Sequence, residues 1–144
     1  MSFIDFTLVP KLTNNRKLTN NRIVHKAALF YAAYKLTLRG WGVEVKPSGE
    51  KGADLVIYDR NREKRHTIKV KGLSNRDPIP FGGSIESLPE YVIVVRNLEK
   101  PEVFILDRDT VKKRVQASKG SKMSYWIKTK RYEEFKDRWD LITS

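Results

Sequence analysis

The feature that most constrains the fold is a pair of apolar, β-branched runs separated by a short basic turn. The runs span residues 54–59 and 66–72. Two such runs around a polar turn predict a β-hairpin. With the turn at their midpoint, antiparallel pairing sets Asp54 opposite Lys69 to Lys71, within one residue. Side chains alternate along a strand with a period of two, so Lys69 and Lys71 share one face. The sequence therefore predicts a carboxylate beside two lysines.

Length and composition indicate one self-sufficient domain. A chain of 144 residues can bury about two-thirds of its unfolded surface without disulfides or a structural metal. It has no cysteine, which excludes a disulfide framework and thiolate zinc sites. No apolar run approaches about 18 residues, and the first residues do not follow the pattern of a signal peptide. We expect a cytoplasmic, intracellular and soluble protein.

Charge is the second constraint on function. The chain has 29 Lys and Arg against 17 Asp and Glu, a net charge of +12. Such an excess favours a polyanionic partner, but charge alone does not say which one. From the sequence as a whole we expect nucleic acid, DNA rather than RNA, and no membrane partner. A basic surface that only increases solubility is the alternative, and a ribosomal or membrane-surface role would need the same charge.

The N-terminal part contains a direct repeat. The hexapeptide KLTNNR occurs at residues 11–16 and again at 17–22. Two copies are too few for a solenoid. We therefore divide the chain into a basic arm, residues 1–21, and a single domain, residues 22–144. The arm either only leads into the first helix or also contacts phosphates. Asn20 or Asn21 could cap that helix.

The remaining chain has an alternating α/β pattern. Apolar residues at spacings of three and four predict an amphipathic helix over residues 22–39 that is ended by Gly40; its predicted buried face consists of Ile23, Ala27, Phe30, Tyr31, Tyr34 and Leu38. Strands are predicted at residues 43–46, 91–95 and 103–106 in addition to the hairpin, with a long loop over 73–89, a helix after Asp107 or Asp109, a turn over 119–124 and a small packing helix over 132–142.

That order of elements, with Asp54 on the second strand and Ile68-Lys69-Val70-Lys71 on the third, resembles the PD-(D/E)XK superfamily of restriction-endonuclease-like proteins. The resemblance covers about residues 20–142 and is greatest to small Holliday-junction-resolvase-like domains. It implies an α/β, three-layer fold with a central mixed sheet of about five strands, an α-β-β-β-α-β-like core flanked by helices. A homodimer is expected by the same analogy.

The resemblance also implies a chemistry for the hairpin. In active members the aspartate matching Asp54 and an acid at the position of Lys69 bind Mg²⁺, while the lysine matching Lys71 positions or activates the attacking water. Replacing a carboxylate by an ammonium changes the local charge by two units, which costs several kcal/mol of Mg²⁺ affinity at an effective dielectric constant of about 20. The implied Mg²⁺ site is therefore degenerate, and Mg²⁺ is expected only if the protein is active.

Other acids could replace the missing one. Some members carry a glutamate on the first helix, but this helix has His25 there, either a weak ligand or base, or a plain surface or packing residue. Glu44 or Glu50 could supply a migrated carboxylate, as could Asp77 or Glu86; each is otherwise a solvated surface acid.

The two lysines also have an interpretation that needs no metal. They could belong to a positive cleft and hairpin tip that together neutralise phosphates; the other predicted members are Lys46, Lys51, Arg60, Arg62, Lys64, Arg65 and Arg76. Alternatively, Lys71 pairs with Asp54 in a partly buried ion pair and Lys69 points to solvent.

Three functions follow from the sequence. The first is a nuclease-like protein that binds DNA through a basic groove, with cleavage lost or much reduced. The second is an active Mg²⁺-dependent DNA endonuclease with a migrated carboxylate. The third is a non-catalytic RNA- or protein-binding module, for which Tyr125, Trp126 and Trp139 would be exposed rather than packed.

Overall fold

The computed structural model describes residues 21–46, 52–120 and 122–143. The helices and strands, numbered in chain order, are α1 (Asn21–Leu38), β1 (Gly42–Val45), β2 (Leu55–Tyr58), β3 (Arg65–Leu73), β4 (Ile79–Gly82), β5 (Tyr91–Arg96), β6 (Glu102–Asp107), α2 (Arg108–Arg114), β7 (Gln116–Lys119) and β8 (Met123–Ile127). Three 3₁₀ turns follow, at Thr129–Arg131, Glu133–Phe135 and Trp139–Leu141. The predicted N-terminal arm lies outside the described residues, except for Asn21.

The centre of the fold is a mixed five-stranded sheet in the order β1-β2-β3-β5-β6. Its neighbouring strands are antiparallel except for β3 and β5, which run parallel. A second, three-stranded antiparallel sheet has the order β4-β8-β7. The predicted α/β class and mixed five-stranded sheet are confirmed. The predicted α-β-β-β-α-β order is wrong after β3, because the described chain between β3 and β5 contains strand β4 and no helix.

The predicted hairpin forms with the expected register. Leu55 pairs with Ile68, and the N–H of Asp54 donates to the carbonyl of Ile68 at 2.8 Å. One step along the ladder, Asp54 therefore lies abreast of Lys69. The turn is closed by Asp59, whose Oδ1 accepts from the N–H groups of residues 63 and 64 at 2.8 and 3.1 Å.

Helix α1 forms where predicted but buries a different face. The buried residues are Val24, Ala28, Leu29, Ala32 and Leu36. Of the predicted core residues, Phe30, Tyr34 and Leu38 are 58%, 57% and 64% exposed, and Ile23, Ala27 and Tyr31 are half-buried. The prediction of that face was wrong.

The reason is the close approach of α1 to β3. A Cβ atom on Gly72 would lie 2.7 Å from the carbonyl oxygen of Val24 and 2.9 Å from Cβ of Ala28. Only small side chains fit at this contact, so the helix presents alanines to the sheet and its largest side chains face outward.

Three further sequence predictions need correction. The loop predicted over residues 73–89 contains strand β4. The turn predicted over residues 119–124 is too long, because β7 ends at Lys119 and β8 begins at Met123; both strands were missed. The predicted helix over residues 132–142 is two short 3₁₀ turns, although Trp139 is buried there as expected, at 6% exposure.

A buried arginine attaches the C-terminal turns to the sheet. Arg96 at the end of β5 is 3% exposed. Its guanidinium donates to Glu102 at 3.1 Å, to the hydroxyl of Tyr132 at 3.2 Å and to Glu133 at 3.0 Å. Burial opposes its charge, yet these hydrogen bonds hold the pKa of Arg96 above its usual value. The Tyr132 hydroxyl in turn donates to the carbonyl of Asp77 at 2.6 Å, which anchors the chain between β3 and β4.

Candidate functional site

Asp54 lies at the centre of the site that the hairpin predicted. Its Oδ2 accepts the backbone N–H of Val70 at 2.7 Å and lies 3.8 Å from the ammonium nitrogen of Lys69. Its Oδ1 lies 3.9 Å from Nε2 of His25. Because α1 packs directly on Gly72, the helix brings His25 to a strand that is far away in sequence. Three of the predicted site residues thus meet at one point.

Lys69 and Lys71 lie side by side on one face of β3. The Lys69 side chain is 33% exposed. The ammonium of Lys71 lies 5.4 Å from the ring centroid of Phe81 on β4. The pKa of Lys71 is lowered to about 8, first by burial and second by the charge of Lys69, while Asp54 opposes the shift. Near neutral pH Lys71 is therefore mostly charged, and it loses its charge as the pH rises through about 8.

The ion pair at the site involves Lys69 rather than Lys71. Lys69 is within 4 Å of Asp54, and the structure gives no such contact between Asp54 and Lys71, both of which are described. The alternative in which Lys71 pairs with Asp54 while Lys69 points to solvent is therefore wrong.

The two lysines separate two adjacent concavities, which together we call the lysine groove. The first has a volume of about 320 Å³ and is lined by His25, Gly72 and Asp77 besides the lysines. The second, of about 230 Å³, has small polar residues on its wall; these include Gly52, Ser84 and Ser87. Both concavities open beside the ammonium groups, so an anion in either would meet a lysine.

The described residues do not fit a Mg²⁺ site. Mg²⁺ is held by oxygen ligands, with carboxylates supplying the charge. Within residues 21–46, 52–120 and 122–143, no group of three His, Cys, Asp or Glu side chains is spaced to hold a metal ion. Asp54 already has an ammonium nitrogen 3.8 Å from one oxygen, and that oxygen also accepts a backbone N–H.

The acids proposed as replacements lie in different places. Glu44 on β1 accepts a hydrogen bond from the hydroxyl of Tyr58 at 2.9 Å. Asp77 lines the lysine groove, while Glu86 is exposed and its N–H donates to the Ser84 hydroxyl at 3.2 Å. Glu50 lies outside the described residues.

The predicted basic residues divide into two clusters. Lys46 lies next to the groove, since its N–H donates to the carbonyl of Asp54 at 2.9 Å. Arg65 is the first residue of β3. Lys69 lies four residues further along the same strand, which is a distance of about 13 Å. The residues of the hairpin tip, Arg60, Arg62, Lys64 and Arg65, therefore lie at the far end from the groove.

Two other basic residues were predicted for the groove, and the structure describes one of them. Arg76 forks onto both carboxylate oxygens of Glu133 at 2.9 and 2.8 Å, which neutralises its charge locally. Lys51 lies outside the described residues.

Sequence reasoning missed a histidine that joins three parts of the chain. Nδ1 of His66 lies 2.7 Å from Glu90 and its Nε2 lies 2.8 Å from the carbonyl of Thr143. Its ring packs edge-on against Trp41 and Tyr91, each with a centroid distance of 5.6 Å. None of these interactions involves a residue of the lysine groove. No sequence pattern around His66 predicted them.

The aromatic residues proposed for single-stranded bases are not a free surface. Trp139 is 6% exposed, and Tyr125 and Trp126 are half-buried.

No described helix is long and apolar enough to cross a membrane. Comparisons of the chain with protein-family models, with curated proteins and with solved structures found no match.

Proposed function

We propose that this chain is a nucleic-acid-binding protein on a restriction-endonuclease-like scaffold, which binds DNA through the lysine groove and has lost most or all cleavage activity. The observation that supports this best is the ion pair of Lys69 with Asp54, at 3.8 Å. An ammonium stands where a metal-dependent nuclease of the resembled superfamily would carry a carboxylate.

The charge balance of the groove supports a phosphate ligand. Asp54 is the carboxylate next to Lys69 and Lys71, and the pKa of Lys71 is lowered by burial first and by repulsion from Lys69 second. A phosphate placed between the ammonium groups would relieve this repulsion and favour the charged form of both. Backbone phosphates are the main source of affinity for proteins that bind DNA through lysine.

The proposal is tested by binding of a fluorescent DNA duplex to the wild-type chain and to the double variant Lys69→Ala/Lys71→Ala. We expect the variant to lose at least tenfold in affinity at about 100 mM salt, since two phosphate contacts disappear. The matched control is Lys112→Ala/Lys113→Ala, which removes the same charge from the exposed last turn of α2. Equal losses in the two variants would leave only a non-specific effect of net charge and contradict a binding groove.

Cleavage is tested separately with plasmid and branched DNA in the presence of Mg²⁺ or Mn²⁺. We expect no nicking above that of the variant Asp54→Ala. Cleavage that is abolished by Asp54→Ala would contradict the inactive assignment and favour the endonuclease with a migrated carboxylate. The variants Glu44→Gln and Glu50→Gln would then identify which acid supplies the ligand.

A further inference from the structure

The outward side of α1 has a continuous row of exposed residues at a spacing of four. We call it the α1 row; from the N-terminal to the C-terminal end it consists of Arg22, Lys26, Phe30, Tyr34 and Leu38. Residues four apart on a helix lie one above another. The two aromatic rings are more than half exposed, at 58% and 57%, although such side chains normally contribute to a core. The α1 row is thus a surface with a basic beginning and an aromatic middle.

The row's charge indicates what could cover it. Helix α1 contains no acidic residue. The ammonium of Lys26 already lies 5.9 Å from the ring centroid of Phe30, and Lys35 and Arg39 follow on the same end of the helix as Tyr34. Packing two copies of this helix together would place cations against cations. An anionic partner that carries flat rings would instead pair with the lysines and stack on the exposed aromatic side chains.

The helix that carries the α1 row also lines the lysine groove, although the row lies on the outward side of that helix. His25 lines the groove, and the next residue is Lys26. At a rise of 1.5 Å per residue, Phe30 lies about 7.5 Å and Tyr34 about 13.5 Å along the helix axis from His25. Because successive residues turn by about 100° around the axis, a strand that leaves the groove would have to pass around α1, which is about 10 Å across, to reach both rings.

We propose that the α1 row binds single-stranded nucleic acid, with bases stacked on Phe30 and Tyr34 and the backbone neutralised by Lys26. This deepens the proposed function and rests on it for the path of the strand: the groove holds duplex phosphates and the helix receives an adjoining unpaired strand. The preferred substrate is then DNA with a junction between duplex and single strand.

The test compares two single strands of about 20 units that differ only in their bases, oligo(dT) and a chain of abasic spacers with the same phosphates, measured by fluorescence anisotropy. The wild-type chain should bind oligo(dT) at least tenfold more tightly than the abasic chain, because base–aromatic stacking adds about fivefold or more for each base. The double variant Phe30→Leu/Tyr34→Leu should lose this preference and keep its affinity for the abasic chain within about twofold. Leucine retains an apolar surface but no ring face; the variant also loses the Tyr34 hydroxyl and the contact of Lys26 with the Phe30 ring, and the abasic chain controls for both.

Three outcomes would overturn the inference. Equal affinity of the wild-type chain for the two strands would exclude stacking, and an unchanged preference in the leucine variant would place it elsewhere. A dimer seen by light scattering, dissociated by Phe30→Asp/Tyr34→Asp and with no oligo(dT) preference, would assign the row to a second copy of the chain.

The same measurements distinguish a failure of the α1 row from a failure of the lysine groove. If Lys69→Ala/Lys71→Ala removes duplex binding while oligo(dT) preference is absent, the α1 row fails and the groove remains. If the oligo(dT) preference depends on Phe30 and Tyr34 while duplex affinity is unchanged in Lys69→Ala/Lys71→Ala, the proposed groove is wrong and the inference about the α1 row stands.

Discussion

Lys69 determines the chemistry of the site because of what it contacts. Its ammonium lies 3.8 Å from Asp54, at the position where, under the proposed function, a metal-dependent nuclease would carry a second carboxylate. A carboxylate that accepts a backbone N–H and lies next to an ammonium group is a poor metal ligand. The site residues Asp54, Lys69 and Lys71 were predictable because they lie on one local hairpin. The approach of His25 to Asp54 depends on how α1 packs, which no local pattern reports.

Restoring the acid should restore metal affinity. In Lys69→Glu a carboxylate would stand abreast of Asp54, so we expect Mn²⁺ to bind at least tenfold more tightly than to Lys69→Gln, measured by isothermal titration calorimetry. The glutamine variant removes the ammonium without adding a charge. Equal affinities would mean that the geometry at Asp54 does not match that of a metal site.

The protonation of Lys71 should make DNA binding depend on pH. Its pKa in the free protein is about 8 because of burial and the charge of Lys69. Phosphate binding favours the charged form, so affinity is complete below pH 8 and falls as the pH rises above it, by about tenfold at pH 9. Duplex affinity measured from pH 6.5 to 9.5 at constant salt checks this.

The matched variant is Lys71→Arg, since arginine stays charged throughout that range. Its affinity should be flat with pH where the wild type falls. A parallel decline in both proteins would assign the titration to another group.

Among the secondary-structure elements, local patterns were sufficient for some and insufficient for others. The hairpin and the strands β5 and β6 have continuous apolar runs, so their positions were predictable. The buried face of α1 was not, because the alternation of large and small residues on the helix is decided by Gly72 on a distant strand. Strands β7 and β8 were missed since Gln116–Lys119 is polar and short, and its pairing with β8 is a tertiary interaction.

The contact between α1 and β3 predicts a stability effect. In Gly72→Ala the new methyl group would lie 2.7 Å from the Val24 carbonyl oxygen, so the helix must shift and we expect a loss of about 1–3 kcal/mol in the free energy of unfolding. Gly42→Ala is the control, since its nearest contact would be 3.8 Å; it should change stability by less than about 0.5 kcal/mol. Urea unfolding of both variants checks this, and equal effects would contradict the close packing.

For the molecule as a whole, the arrangement of charge separates two regions. The lysine groove lies at one end of the β2–β3 hairpin, and the basic hairpin tip lies at the other, beyond about 13 Å of strand. The net charge of +12 thus reflects several surfaces. A single bound phosphate would use only the groove, whereas a duplex is long enough to contact both regions.

The salt dependence of duplex DNA affinity tests whether the lysine groove contacts phosphates. Each contact contributes about −0.9 to the slope of log affinity against log salt concentration. We expect a steep slope for the wild-type chain, a slope less steep by about 1.8 for Lys69→Ala/Lys71→Ala, and an unchanged slope for Lys112→Ala/Lys113→Ala. A flat wild-type dependence, or equal slopes for the wild type and the groove variant, would contradict DNA binding in the groove.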